Sequence, residues 1–186
     1  MPNFTDLSVD LETLGTEPGA VITQIGLAAF NSRPVITTRD KSGLEIVGDR
    51  IDVDPQSCLD AGMHASWSTI SWWLTQDAEA RESMARQIGL DIHTALGRVD
   101  NFIAGQMGSH FKVWGNGATF DISLLNEMYR IDNRKVPWQF RNIRDMRTLI
   151  AVTTEDKILW GVAKVAHSAM HDAIAQAETI RSCFAS

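Results

Sequence analysis

The sequence predicts an α/β domain in which an antiparallel meander of strands is followed by helices alternating with short strands. Two observations predict it. The first 53 residues hold three strand-like stretches separated by turn chemistry, Thr16-Glu17-Pro18-Gly19 and then Asn31-Ser32-Arg33-Pro34. Further on, Phe111-Lys112-Val113-Trp114 runs into Gly115-Asn116-Gly117 and then a helix, the strand–loop–helix unit at which open α/β sheets place ligands.

The first strand carries Ser8-Val9-Asp10-Leu11-Glu12-Thr13-Leu14-Gly15. Side chains alternate across a strand, so Leu7, Val9 and Leu11 point into a core while Asp10 and Glu12 share the opposite face. Two carboxylates this close repel unless something positive lies between them, and a hard cation such as Mg²⁺ or Mn²⁺ takes oxygen ligands of this kind. An isolated D-x-E is also the ordinary polar face of an edge strand. The second strand is expected over residues 20–30, β-branched and apolar, and the third between Gly43 and Val53.

Residues 55–62 read as a short helix. The segment 64–73 (HASWSTISWW) places Trp67, Trp72 and Trp73 within seven positions. Tryptophans so grouped cap a core, or they offer a surface on which a base stacks. Residues 77–87 and 91–107 read as helices, the latter with Ile92, Leu96, Val99 and Ile103 at helical spacing. After the Gly115–Gly117 loop, Asp121 falls in the first turn or at the cap of a helix whose Leu124, Leu125 and Met128 share a face; capping is a common role for such an acid. Residues 140–143 read as a strand, and Asp145 as the cap of a helix over 146–152. The last helix starts near Ala169, with Met170, Ile174, Ala177 and Phe184 expected on its buried side.

The chain has 186 residues, enough for one domain with its own core, and it contains no repeat, low-complexity tract or dividing linker. Its 44% hydrophobic and 22% charged content is ordinary for a globular protein, and no apolar run nears the roughly 20 residues of a membrane span. The first residues lack a signal-peptide pattern, so a cytoplasmic location and no membrane partner are expected. Cys58 and Cys183 are far apart and suit reduced thiols. The net charge of −6 argues against a broad basic surface coating duplex nucleic acid, but not against a pocket gripping one strand end with the help of bound metal.

Taken together, Asp10, Glu12, Asp121 and Asp172 form a set of carboxylates able to hold two divalent ions roughly 3.5–4 Å apart, as in phosphoryl-transfer sites. His167, five residues before Asp172 and just ahead of the last helix, is placed to act as a general base on water. His171, one residue from Asp172, reads as a surface histidine.

These residues resemble the DEDDh 3′–5′ exonucleases, DnaQ-like enzymes with an RNase H-like fold. D-x-E-T at Asp10, Glu12 and Thr13 matches their first motif, N-x-x-x-F-D at Asn116, Phe120 and Asp121 the second, and H-x-x-x-x-D-A at His167, Asp172 and Ala173 the third. The order agrees, and the resemblance spans nearly the whole chain. Residues 20–26 (AVITQIG), 69–74 (TISWWL) with Gln76, and 144–149 (RDMRTL) look closest to the DexA-type phage exonucleases and related bacterial exoribonuclease-like domains. One departure stands out: many relatives carry His-Asn where this chain has Asn116-Gly117.

The resemblance implies parallel strands beside the meander and helices flanking the sheet. It implies two divalent cations, with Asp10, Glu12 and Asp172 on the first, Asp10 bridging to the second, Asp121 holding the second, and His167 as base. It places Leu14 and Gly15 under the terminal nucleotide, with Asn116, Trp72 and Trp73 as further substrate-binding positions. The expected substrate is a single-stranded 3′ end, DNA ahead of RNA, cut to nucleoside 5′-monophosphates; a homodimer is left open. The reading from another class is a non-catalytic nucleic-acid-binding domain, but such relics usually lose one or more of the acids that this chain retains.

Overall fold

The computed structural model describes residues 3–33, 45–85, 88–164 and 167–185. Five strands form one mixed sheet in the order β3-β2-β1-β4-β5. Strands β1 (Phe4–Thr13), β2 (Ile22–Phe30) and β3 (Val47–Asp52) are the antiparallel meander, and β4 (Met107–Gly115) and β5 (Ile143–Asp145) add in parallel to β1. Helices α1 (Pro55–Asp60), α2 (Trp67–Leu74), α3 (Ala78–Ala85) and α4 (Ile92–Gln106) lie between β3 and β4. Helix α5 (Asp121–Ile131) connects β4 to β5, and α6 (Met146–Val152) and α7 (Ala169–Phe184) close the chain.

Strand β1 is central, not an edge, and both its faces are covered. Leu7, Val9 and Leu11 join Ile25, Leu27 and Val113 in a core sealed by Leu96, Val99 and Ile103 of α4 and Ile122, Leu125 and Met128 of α5. On the opposite face Asp6 and Ser8 are fully buried. Asp6 is satisfied there by the Trp114 indole N–H at 2.8 Å and by the Ser32 amide and hydroxyl at 3.1 and 2.8 Å. That second face packs under α7, against which Ala28, Phe30 and Trp114 lie.

Helix α7 sits close to the sheet because small residues meet at the contact. A Cβ on Gly26 would collide with the backbone carbonyl of Ala169. Beside it, the Gln24 side-chain carbonyl accepts from the Ala169 amide at 3.0 Å. The apolar buried residues of α7 are accordingly small, Ala169, Ala173, Ala175 and Ala177, with Ile180 the larger exception. Met170, Ile174 and Phe184, expected there from apolarity, are only partly buried at its margins, since bulk under the helix would lift it off β2.

Several boundaries differ from the sequence reading. Strand β2 starts at Ile22, because Ala20 pairs as an isolated bridge with His64. The third strand is confined to Val47–Asp52, and Pro34, Gly43 and Leu44 lie outside the described residues, as do Arg86 and Gln87 at the end of the helix expected over residues 77–87. Residues 140–142 form a 3₁₀ turn and only Ile143–Asp145 pair with β4. Asp145 caps α6, accepting from the Thr148 amide at 2.9 Å, and also accepts from the Ala118 amide, which ties the β4–α5 loop to β5. Both cysteines are free.

Candidate active site

The parallel strands β1, β4 and β5 end on one rim, and the acids gather there. Asp10 and Glu12 lie at the carboxyl end of β1, and Asp172 projects from the first turn of α7. One oxygen of each of these three carboxylates falls within 4.8 Å of the other two. The docking of Ala169 on Gly26 produces this meeting, because Gly26 pairs with Asp10 in the sheet register. Asp121 is the first residue of α5 and its side chain does not cap the helix; it is buried and lines the same 530 Å³ cleft as Asp10, Glu12, Asp172 and His167.

The electrostatics follow from crowding acids in a partly dry place. Burial, then the charges of Asp121, Glu12 and Asp172, push the Asp10 carboxyl well above the usual range. Burial and the charges of Asp172 and Asp121 push Glu12 up to about 8, with Arg50 pulling the other way. Burial pushes Asp121 up to about 7, against hydrogen bonds from backbone amides including that of Leu11. Asp172 is raised mainly by burial. Oxygen donors alone, several of them closely spaced and costly to ionise together, fit a hard divalent cation.

His167 stands in the loop before α7 with φ 56°, a left-handed backbone seldom taken by a non-glycine residue and often found at functional sites. Its ring lies edge-on to Trp72 at 5.4 Å and to Trp73 at 5.6 Å between centroids. The two tryptophans divide the roles the sequence left open. Trp73 is 2% exposed and its indole N–H donates to the Thr13 carbonyl at 2.9 Å, so it is core. Trp72 is 47% exposed and Trp67 is fully on the surface. Trp72 and Trp73 line a second cleft of 380 Å³ with Thr13, Thr16, Ser68 and Thr69, which shares Leu11, Glu12 and Phe120 with the acidic cleft. Leu14 packs on the main core and Gly15 is buried against Ala20 and Ser66; neither lines either cleft, although their neighbours Thr13 and Thr16 do. Asn116 lines the acidic cleft.

Residues 5–184 match the family described as the Rv2179c-like 3′-5′ exoribonuclease domain. The chain belongs to that family. It is a 3′–5′ exonuclease with an RNase H-like fold. It is also 28% identical over 193 residues to an exodeoxyribonuclease of Enterobacteria phage T4, covering 90% of this chain and 83% of the phage protein. Among solved structures, cell-death related nuclease 4 (CRN-4) aligns with a TM-score of 0.61 at 13% identity, over 97% of this chain; the chain spans 63% of that protein's length. The nuclease domain of 3′hExo, a DEDDh member bound to rAMP, aligns with a TM-score of 0.59 at 13% identity, over 95% of this chain and 89% of its own. S. pombe Pop2p in its Mg²⁺- and Mn²⁺-bound form aligns with a TM-score of 0.58 at 11% identity, over 96% and 82%. No helix among the described residues is long and apolar enough to cross a membrane.

The sequence reading of this exonuclease passed over three residues of the cleft. Gln176 donates from Nε2 to the Asp10 carboxylate at 2.7 Å and accepts from the Ser8 hydroxyl at 3.0 Å, which fixes one oxygen of Asp10. Its signal was present: it follows Asp172 by four positions, hence on the same helix face. Arg147 donates to the Asn116 side-chain carbonyl at 3.1 Å and pulls Asp121 downward. Trp160 lines the exonuclease cleft, from a segment with no periodic pattern to announce it. His171 is not a simple surface residue, for its Nδ1 is buried without a hydrogen-bond partner among the described residues.

Proposed function

We propose that residues 1–186 act as a single exonuclease domain. It removes nucleotides one at a time from the 3′ end of single-stranded DNA as nucleoside 5′-monophosphates. The observation that carries this reading is the meeting of Asp10, Glu12 and Asp172 within 4.8 Å, in a cleft that Asp121 and His167 also line. Asp10, Glu12 and Asp172 would hold one Mg²⁺ or Mn²⁺, and Asp10 with Asp121 a second. Bound there, two such ions supply an activated water and take up the negative charge that develops on the phosphate. His167 takes the proton of the attacking water onto an imidazole nitrogen. Gln176 holds Asp10 in one orientation, and the cleft lined by Thr13, Thr16, Trp72 and Trp73, next in the chain to Leu14 and Gly15, receives the terminal nucleotide.

DNA as substrate is supported by the phage relative, named as an exodeoxyribonuclease and alike over 90% of this chain. RNA is the second reading, favoured by the description of the family itself. Matched DNA and RNA single strands, labelled at the 5′ end and incubated with Mn²⁺, decide between them. The expected result is a ladder of products shortened from the 3′ end, faster on DNA, and abolished in Asp10→Ala and Asp172→Asn. Faster RNA shortening would transfer the assignment to RNA, and full turnover in either variant would remove the metal assignment.

A further inference from the structure

We propose that Arg147 and Trp160 form the subsite for the nucleotide immediately upstream of the scissile phosphate. Arg147 grips that nucleotide's 5′ phosphate and the Trp160 indole stacks on its base. The proposal deepens the exonuclease reading and rests on it.

The two clefts meet at Leu11, Glu12 and Phe120, so a strand whose scissile phosphate lies at the acids extends to both sides of them. With the terminal nucleotide in the Trp72 cleft, the upstream strand leaves through the acidic cleft, which Asn116, Arg147 and Trp160 line and the Trp72 cleft does not share. Trp160 is 63% exposed, an unfavourable place for a large apolar ring. Its backbone is nevertheless held from both sides by α7. The Leu159 amide donates to the Ser182 hydroxyl at 2.9 Å, and the Gly161 amide to the Thr179 hydroxyl at 2.9 Å. Gly161 lies so close to α7 that a Cβ there would collide with the Ala175 carbonyl. A segment without regular structure is thus strapped to the helix that carries Asp172, and the strap presents an indole to the cleft. A fixed backbone with an exposed aromatic face is what base stacking requires, since the ring is oriented before the strand arrives. Arg147 adds the matching charge. Its Nε is tied to Asn116, and it lines a cleft that also holds the carboxylates of Asp10, Glu12, Asp121 and Asp172, where a phosphate diester needs a cation.

The test uses two single-stranded DNAs, one intact and one with an abasic site at the penultimate position, and follows release of the terminal nucleotide at subsaturating enzyme with Mn²⁺. In the wild type the missing base should slow release about 5- to 150-fold, the usual worth of one stacked base. Trp160→Ala should show a similar loss on the intact strand and no further loss on the abasic one, while Trp160→Phe restores most of the difference. A wild type indifferent to the abasic site, or a penalty that persists undiminished in Trp160→Ala, overturns the subsite. A wild type that releases nothing from the intact DNA or from a matched RNA strand overturns the single-strand reading of the site and the subsite with it.

Discussion

Ala169 rests directly on Gly26, with no room for a side chain between the helix and the strand. Gly26 is paired with Asp10 across β1 and β2, and Ala169 lies one turn ahead of Asp172 on α7. The contact between two residues without catalytic chemistry therefore sets the distance between two of the acids. Gly26→Ala should displace the first turn of α7, costing at least the roughly 1–3 kcal/mol typical of overpacking. Turnover should fall further than stability alone explains, because Asp172 moves with the helix. Denaturant melts alongside nuclease rates on the folded fraction check this; an unchanged rate per folded molecule would show that the acids do not depend on this seat.

The metal-free site should make stability depend on pH in a defined direction. Glu12 is pushed from an ordinary value of 4.5 to about 8, and Asp121 from 3.8 to about 7. Between the ordinary and the raised value the folded protein holds a proton that the unfolded chain has released, so protonation favours folding. This stability is complete below pH 4 or so and is lost as pH rises through 7 to 8. The Tm in chelator should fall from pH 5 to pH 9, whereas saturating Mn²⁺ should flatten or reverse the trend, since cations compete with protons for the same oxygens. Ion at about 1,000 times its Kd adds about 4 kcal/mol. Asp10→Asn removes one charge at nearly constant shape, so it should raise the chelator Tm and shrink the Mn²⁺ shift. Equal Mn²⁺ shifts in both proteins would exclude Asp10 as a ligand.

His167 and His171 should separate in kinetics. His167→Ala should lose about 10²–10⁴-fold in kcat, the usual worth of general acid–base catalysis, while Mn²⁺ still raises its Tm. His171→Ala should lose much less, since its Nδ1 is buried and without a partner among the described residues. Single-turnover rates of the two variants at saturating Mn²⁺ decide it, and the reverse order would move the base to His171.

The tryptophan pair should divide into a structural and a binding residue. Trp73→Ala removes a buried ring and its hydrogen bond to Thr13, so a loss of about 3–5 kcal/mol in folding stability is expected. Trp72→Ala should fold normally and weaken single-strand binding by about 1–3 kcal/mol. Titration of a fluorescent strand with each variant in the presence of Ca²⁺ gives the comparison. Normal binding by Trp72→Ala would assign that ring to packing alone.

The sequence by itself determined the meander, the helices from Ile92 and Ala169, and the acids as a set. Alternation in β1 and the three ordered motifs are local patterns, and they survive without knowledge of what packs where. It also determined that Asp145 caps a helix, because a cap is satisfied within one turn. The tertiary structure alone decided that β1 is central, since strand order depends on pairing between distant residues. It divided Trp72 from Trp73, neighbours in the chain that differ only in which side of α2 meets the core. It joined Gln176 to Asp10 across 166 residues, and it brought Trp160 to the cleft wall by hydrogen bonds from a helix to an irregular strap. Those contacts arise from the docking of α7 on Gly26, and docking distances are set by small residues whose absence of bulk leaves no periodic signature.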